Sequence, residues 1–145
     1  DKILDIGCGK GFLMFDFTKV VPGIEVYGLD VSEYAYQNSK EEIREFITLG
    51  NANKLPYEDN SFDFVYSLNT LHNLESFDLY DALKEIQRVS KGRSYLCVES
   101  YRNEIEKANL LYWQVTCEAF NNPKEWEWWF KLTGYTGDYS FIYFE

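Results

Sequence analysis

Three glycines near the start of the chain, Gly7, Gly9 and Gly11, have the spacing of a loop that cradles a ligand. They follow a short apolar run and precede a helical pattern that begins at Phe12. A buried strand, a tight turn and a helix in this order form a common nucleotide-binding unit, and glycines let its backbone approach a ligand closely. The dinucleotide fingerprint G-x-G-x-x-G would need its third glycine where Phe12 stands, so the spacing argues against a nicotinamide cofactor.

A second candidate binding residue is Asp30, which ends an apolar, β-favouring run after Pro22 and Gly23. In doubly wound folds an acid at the tip of the second strand binds ribose, because a carboxylate accepts two hydrogen bonds from a vicinal diol. The alternative is that Asp30 only caps the next helix. Together with the glycines, Asp30 favours a ligand that contains a nucleoside.

Further segments match a known family in order and position. They are the glycine loop after Asp5, Asp30 within Gly28–Ser32, and the stretches Gly50–Asp63, Val65–His72 and Glu85–Ser90. In these segments the chain resembles the class I S-adenosylmethionine-dependent methyltransferases of the type 11-like group. The resemblance implies an α/β fold, a Rossmann-like, doubly wound, mostly parallel sheet with helices on both faces. It also implies S-adenosylmethionine as cofactor and S-adenosylhomocysteine as product.

The resemblance implies a set of cofactor-binding residues as well. Gly7 and Gly9 would pass close to the methionine part, Asp30 would hold the ribose, and Val31 would pack on the adenine. Asn51 stands where the family usually has an Asp that binds the adenine amino group, and its amide oxygen can accept the same hydrogen bond. The rest of the set is Asp5, Cys8, Gly11, Ala52, Ser67 and Leu68.

Length and composition predict one domain over residues 1–145, since 46% of the residues are hydrophobic and 19% aromatic. We expect residues 1–100 to form the cofactor-binding core and the aromatic-rich residues 101–145 to lie on the substrate side. The first strand begins almost at once, which leaves no room for the helix that commonly precedes it in the family. We therefore expect a chain that is trimmed at its N-terminus.

Charge and cysteine content restrict the partners and the compartment. A formal net charge of -10 argues against a nucleic-acid partner, because such binding depends on Lys and Arg neutralising phosphates. No apolar stretch is long enough to span a bilayer, which argues against a membrane protein. The three cysteines form no C-x-x-C pair, so neither a disulfide framework nor a zinc site is indicated and the cytoplasm is the default. Oligomeric state is not predicted.

Strands and helices that alternate along the chain are predicted to position these residues. The predicted strands are 3–6, 24–30, 47–49, 62–68 and 94–100, and the predicted helices are 12–21, 33–46, 77–89, 105–120 and 123–133. Ser32, Ser76 and Asn122 are the expected N-caps, and Tyr135–Phe144 supplies one strand or a tight pair of short strands. Expected core faces are Leu13, Phe17, Val20 and Val21 on the first helix and Leu79, Leu83, Ile86 and Val89 on the third. Trp126, Trp129 and Phe130 share a helix face, which either packs on the sheet or forms an aromatic wall of a substrate pocket.

Methyl transfer from a sulfonium needs mainly alignment of the acceptor and exclusion of water. The expected acceptor is a small molecule, with oxygen preferred over nitrogen or carbon. A hydroxyl acceptor would be helped by a base near neutral pKa, and the single histidine, His72, follows the fourth strand at the edge where ligands bind. The alternative is that His72 caps a turn or packs on the cofactor.

Glu99, Tyr101 and Arg102 leave the fifth strand at the same edge and are candidate substrate contacts. Arg102 could instead pair with Glu104 or Glu106. No metal is expected, because Asn69 replaces the first acidic ligand of the metal-dependent relatives. Two further functions stay open: a binding module without turnover, and a nucleotide-dependent oxidoreductase, for which Tyr36 and Lys40 have a Tyr-x-x-x-Lys spacing.

Overall fold

The computed structural model describes all 145 residues and contains six strands and five α-helices. In chain order the elements are β1 (Lys2–Ile6), α1 (Phe12–Val20), β2 (Glu25–Asp30), α2 (Glu33–Gln37), β3 (Ile47–Leu49), β4 (Phe64–Leu68), α3 (Ser76–Val89), β5 (Ser94–Ser100), α4 (Glu104–Trp113), α5 (Pro123–Thr133) and β6 (Asp138–Tyr143). Short 3₁₀ turns at Arg44–Phe46 and Leu71–Asn73 precede β3 and α3.

The strands form one sheet in the order β3-β2-β1-β4-β5-β6, and every pairing is parallel. From β1 the chain runs outward through β2 to β3, then returns to the other side of β1 with β4. The strand order therefore reverses between β1 and β4, and ligands of open α/β sheets bind outside the carboxyl ends of strands at such a point. This confirms the predicted doubly wound parallel sheet.

Two groups of buried side chains are separated in the core. The larger group includes α3 and α5 residues, and the smaller one includes Met14 of α1 together with Ile43 and Ile47. Leu79, Leu83, Ile86 and Val89 are fully buried, as their spacing predicts.

The predicted core face of α1 is correct at Phe17, which packs against the core, and wrong at Leu13, Val20 and Val21. Val20 is 73% exposed, Leu13 and Val21 are also exposed, and Met14 is the fully buried residue of this helix. The face of α1 that packs against the sheet is the one that carries Met14, and Phe15 and Phe17 are half-buried beside it. In a helix of nine residues with apolar side chains at many positions, the sequence alone does not show which face is buried.

The predicted second helix is too long. Ser32 caps α2 as expected, because its Oγ accepts from the Ala35 N–H at 3.0 Å, but α2 ends at Gln37. After it, Ser39 Oγ accepts from Arg44 Nε at 3.0 Å, and the Lys40 N–H donates to the Lys10 carbonyl at 2.9 Å. These contacts hold the chain in turns that lead into β3, against the helical propensity of the intervening charged residues. The predicted cap of α3 also differs, since Glu75 occupies the N-cap position and Ser76 begins the helix.

In the C-terminal part, α5 begins and ends where its capping residues predict, whereas α4 is shorter than predicted. Asn122 and Glu125 form a capping box at the start of α5, and Gly134 ends the helix with φ of 76°. The predicted helix continues to residue 120, but α4 ends at Trp113 and residues 114–120 are not helical. Trp126 is fully buried, and its Nε1 donates to the Glu99 carbonyl at 3.2 Å. The aromatic face of α5 therefore packs into the core, while Trp128 is exposed.

Candidate functional site

A cavity of about 310 Å³ lies at the carboxyl edge of the sheet, beside the point where the strand order reverses. Its volume falls within the range of small-molecule sites. Five residues predicted to bind the cofactor line it: Gly7, Asp30, Val31, Asn51 and Ala52. They come from three separate segments, so the fold brings together what the sequence keeps far apart.

The glycine loop forms one wall of the cavity. The N–H groups of Gly7 and Cys8 both donate to the Leu29 carbonyl, at 2.7 and 3.1 Å, which ties the loop to the end of β2. Gly7 has φ of 79°, and a Cβ there would overlap the Thr70 side chain. Gly9 also has positive φ, but a Cβ there would meet no atom within 4 Å. The loop is therefore tightly packed at Gly7 and open at Gly9, as a cradle for a ligand requires.

Asp30 connects two parts of this wall. Its Oδ2 accepts from the Gly9 N–H and its Oδ1 from the Ser32 N–H, both at 2.8 Å. Each carboxylate oxygen keeps a second lone pair, so Asp30 can still accept hydrogen bonds from a diol. The two interpretations of Asp30 thus coexist, because the same carboxylate bonds to the backbone at the start of α2 and lines the cavity.

The wall that carries Asn51 is held by α3. Asn51 Oδ1 accepts from the Asn53 N–H at 3.0 Å in a local turn, and Asn53 Nδ2 donates to Asp78 Oδ1 at 2.8 Å. Further along, Glu85 accepts from the Leu55 N–H at 2.8 Å.

Arg88 fixes the same loop from the next turn of α3. Its guanidinium donates to the carbonyls of Leu55 and Tyr57, at 3.1 and 2.8 Å, and to Asp59 Oδ1 at 2.8 Å. It also pairs with Glu85 at 2.6 Å, so one side chain joins the loop to the helix through several charge-assisted hydrogen bonds.

The remaining predicted cofactor residues are not among those that line the cavity. Asp5 is 5% exposed in β1. Burial raises the pKa of Asp5 to about 7; the Tyr66 side chain opposes the rise and the charge of Asp30 adds to it. Ser67 is buried and donates to the Ile6 carbonyl at 2.9 Å. Burial also raises the pKa of the Cys8 thiol to about 12, which leaves it protonated and inert at neutral pH. Gly9, Gly11 and Leu68 complete this group.

His72 is buried, with an exposed fraction of 2%, and is not one of the residues that line the cavity. Its Nδ1 accepts from the Glu99 N–H at 3.2 Å, and its Nε2 lies 3.3 Å from Glu99 Oε2. Burial lowers the pKa of His72 to about 4 and raises the pKa of Glu99. Both ring nitrogens face Glu99, so the position of His72 does not support the general-base role.

The three candidate substrate residues make internal contacts instead of facing the cavity. Glu99 is 1% exposed and adjoins the His72 ring, as described. Arg102 pairs with Glu106 at 2.6 Å, also contacts Glu145 at 2.8 Å, and its guanidinium carbon lies 4.0 Å from the centre of the Tyr143 ring. Tyr101 Oη lies 3.5 Å from a carboxylate oxygen of Glu125. The ion pair of Arg102 with Glu106 is one of the alternatives that the sequence left open.

Six lining residues were not predicted: Ile6, Leu29, Gly50, Thr70, Asn73 and Leu74. Thr70, Asn73 and Leu74 follow β4, the strand whose carboxyl end adjoins the glycine loop. The rule that ligands bind beyond strand ends points to this stretch, but it does not say which side chains turn inward. The structure also contains no group of three or more His, Cys, Asp or Glu side chains that could hold a metal ion.

Comparison with known proteins agrees with this geometry. A family model described as a methyltransferase domain matches residues 1–134. The chain belongs to the class I S-adenosylmethionine-dependent methyltransferases. An uncharacterized methyltransferase of Schizosaccharomyces pombe is 37% identical in an alignment of 139 positions, which covers 88% of this chain and 45% of the relative. A demethylmenaquinone methyltransferase of Staphylococcus aureus is 33% identical in an alignment of 141 positions, which covers 88% of this chain and 58% of that protein.

The chain thus spans about half the length of the curated relatives that it matches. Solved structures share its fold. A Haloferax volcanii methyltransferase, solved in complex with the Trm112 activator, has a TM-score of 0.76 at 24% identity, covering 92% of this chain and 61% of its own. The [4+2]-cyclase SpnF has a TM-score of 0.73 at 22% identity, covering 91% and 50%. None of the helices has the length and apolarity needed to cross a membrane.

Proposed function

We propose that this chain binds S-adenosylmethionine in the cavity at the carboxyl edge and transfers its methyl group to a small-molecule acceptor. One observation carries the proposal: Gly7, Asp30 and the Asn51–Ala52 pair, from three separate segments, line one cavity at the reversal of strand order. In this proposal, residues 1–100 of the domain hold the cofactor, and residues 101–145 contribute to binding of the acceptor.

The lining residues match the parts of the cofactor. Asp30 has free lone pairs for the ribose hydroxyls, and Val31, Ala52 and Leu74 offer apolar surface to the adenine. Asn51 retains one lone pair on Oδ1 beside its bond to the Asn53 N–H, which suits the adenine amino group. The open backbone at Gly9 leaves space for the methionine part.

When bound, the cofactor supplies an electrophilic methyl group on a sulfonium. The chain then has to orient the acceptor and exclude water, which alone lowers the barrier substantially. The expected preference for an oxygen acceptor depended on a base, and His72 is buried against Glu99. We therefore propose an acceptor that is nucleophilic at neutral pH without help from His72, and catalysis mainly by positioning.

Calorimetric titration of the domain with S-adenosylmethionine, S-adenosylhomocysteine and NAD tests the cofactor. We expect the first two to bind and NAD not to bind. Asp30→Ala should weaken binding by about 1–3 kcal/mol, the range for charge-assisted hydrogen bonds. Asp16→Ala is the matched control, since Asp16 is an exposed acid of α1 outside the cavity lining. Equal affinities of the two variants, or binding of NAD, would contradict the proposal.

A second candidate function is cofactor binding without turnover. The internal pairing of Arg102 with Glu106 and of His72 with Glu99 favours it, since these were the candidates for substrate contact and proton transfer. A neighbour of the same fold named as a [4+2]-cyclase also illustrates that the fold does not define the reaction. Cofactor binding in calorimetry with no methylated product from a broad panel of acceptors would favour this function over transfer.

A further inference from the structure

The Leu71–Asn73 turn lies between the cavity and the segment that follows α4. Asn73 lines the cavity, and its Oδ1 accepts from Thr116 Oγ1 at 3.1 Å. We propose that Asn73 binds the methyl acceptor, donating its Nδ2 hydrogens to an uncharged oxygen that anchors the molecule and is not the atom that receives the methyl group. This inference rests on the proposed function, because it names the acceptor class of the same site.

The orientation of the Asn73 amide is set by its neighbour. Because Oδ1 accepts from the Thr116 hydroxyl, Nδ2 is the amide atom left without a partner in the protein. Asn73 is exposed at the rim of the cavity, so a ligand can reach Nδ2. An amide held in one orientation loses little freedom when it donates a hydrogen bond, which makes it suited to positioning.

The backbone beneath Asn73 is also held in place. The His72 carbonyl accepts from the N–H groups of both Glu118 and Ala119, at 2.9 Å each. On the inner side, His72 Nδ1 accepts from the Glu99 N–H. The turn is therefore joined to β5 and to the segment after α4, and Asn73 is presented from a rigid support.

The chemistry of the surroundings defines the acceptor class. Beside Thr116, three side chains are strongly exposed: Tyr112 at 76%, Trp113 at 67% and Val115 at 91%. Such a surface favours an apolar, planar body. The cavity lining contains no Lys or Arg, and its charged residue is Asp30, so a carboxylate or phosphate on the acceptor would have no counter-charge there. A carbonyl or hydroxyl oxygen fits the Asn73 donor better.

The test uses the domain saturated with S-adenosylhomocysteine and three probes: 1-naphthol, naphthalene and 1-naphthoate. Calorimetry should show that 1-naphthol binds more tightly than the other two. Asn73→Ala should weaken 1-naphthol binding about 2- to 10-fold, the effect of losing one neutral hydrogen bond. Thr116→Val should weaken it less, because the amide remains but its orientation is released. Naphthalene binding should not change in either variant.

The control variant is Asn121→Ala, which removes an amide from a different cleft at the end of the same connecting segment. It should bind 1-naphthol like the unmodified chain. The inference is overturned if Asn73→Ala binds 1-naphthol normally, if 1-naphthoate binds best, or if no probe binds. It is also overturned if Asn73→Ala weakens the binding of S-adenosylhomocysteine as strongly as the binding of 1-naphthol, since Asn73 would then contact the cofactor. Absence of S-adenosylhomocysteine binding to the unmodified chain would instead refute the proposed function.

Discussion

The buried pair of His72 and Glu99 predicts a specific sensitivity of the fold to acid. Burial lowers the pKa of His72 to about 4, whereas the ring of an unfolded chain titrates near 6.5. Between these two values the unfolded state binds more protons than the folded state. The stability that the neutral ring contributes is therefore fully present above about pH 6.5 and is lost as the pH falls towards 4.

The size of this loss follows from the two pKa values. Each pKa unit corresponds to about 1.36 kcal/mol, so the gap amounts to about 3 kcal/mol in full, of which about 2 kcal/mol is lost by pH 5. Glu99 acts in the opposite sense. Because burial raises its pKa, protonation favours the folded state, and this contribution is lost as the pH rises through the folded pKa.

Two variants separate these effects. His72→Asn keeps an acceptor near the position of Nδ1 for the Glu99 N–H, but it does not titrate. Its free energy of unfolding should fall less than that of the unmodified chain between pH 7 and pH 5, by about 2 kcal/mol. Glu99→Gln should fall more steeply than the unmodified chain, because the compensating proton uptake is removed.

The assay is urea unfolding at pH 7, 6 and 5, followed by tryptophan fluorescence, with Trp126 as a buried probe. Comparing pH slopes rather than absolute stabilities removes the contribution of the other acidic groups, which all three chains share. Parallel slopes for the unmodified chain and His72→Asn would refute the burial argument. A steeper slope for His72→Asn would show that His72 is protonated in the folded state as an ion pair with Glu99.

Two further predictions concern the walls of the cavity. Gly7→Ala should lower the free energy of unfolding by about 1–3 kcal/mol, since the φ of Gly7 is positive and the new Cβ would overlap Thr70. Thermal unfolding measures this loss, and adding Thr70→Ala in the same chain should restore part of it. If Thr70→Ala restores nothing, the overlap is not the cause. Arg88→Ala should lower the free energy of unfolding by about 1–2 kcal/mol. It should also weaken the binding of S-adenosylhomocysteine, because the loop that carries Asn51 loses its contacts with Arg88 of α3. Lys91→Ala is the control for Arg88, because the Lys91 ion pair is exposed and worth little; equal stabilities and affinities in these two variants would contradict the role of Arg88.

Elements with strong local signals could be predicted from the sequence. Strands β3 and β5 have the predicted bounds, because short β-favouring runs are delimited by turns on both sides. The start and end of α5 also agree, since Asn122, Pro123 and Gly134 act through the backbone of their own neighbours. The sequence could not predict that α2 ends at Gln37, because the turns after it are held in part by the Lys10 carbonyl, which lies 30 residues earlier in the chain than its partner Lys40.

The site shows the same division between local and distant causes. The positions of Gly7 and Asp30 on the cavity follow from the strand–loop–helix pattern, which is local. The burial of His72 and the pairing of Arg102 depend on Glu99 and Glu106, whose distances in space are set by the sheet and by the start of α4. Charged residues at strand ends are therefore poor predictors of substrate contact until the partners around them are known.

The two backbone hydrogen bonds of Asp30 restrict how this domain could acquire a new ligand preference. A replacement of Asp30 that removes its carboxylate would remove the proposed contact with the ribose, and it would also release the Gly9 and Ser32 N–H groups. Under the proposed function, ligand preference and loop conformation therefore depend on the same side chain, and a substitution of Asp30 alters both. Redesign of this domain towards a phosphorylated sugar would need a second substitution that supplies a new acceptor for both N–H groups before the first could be tolerated.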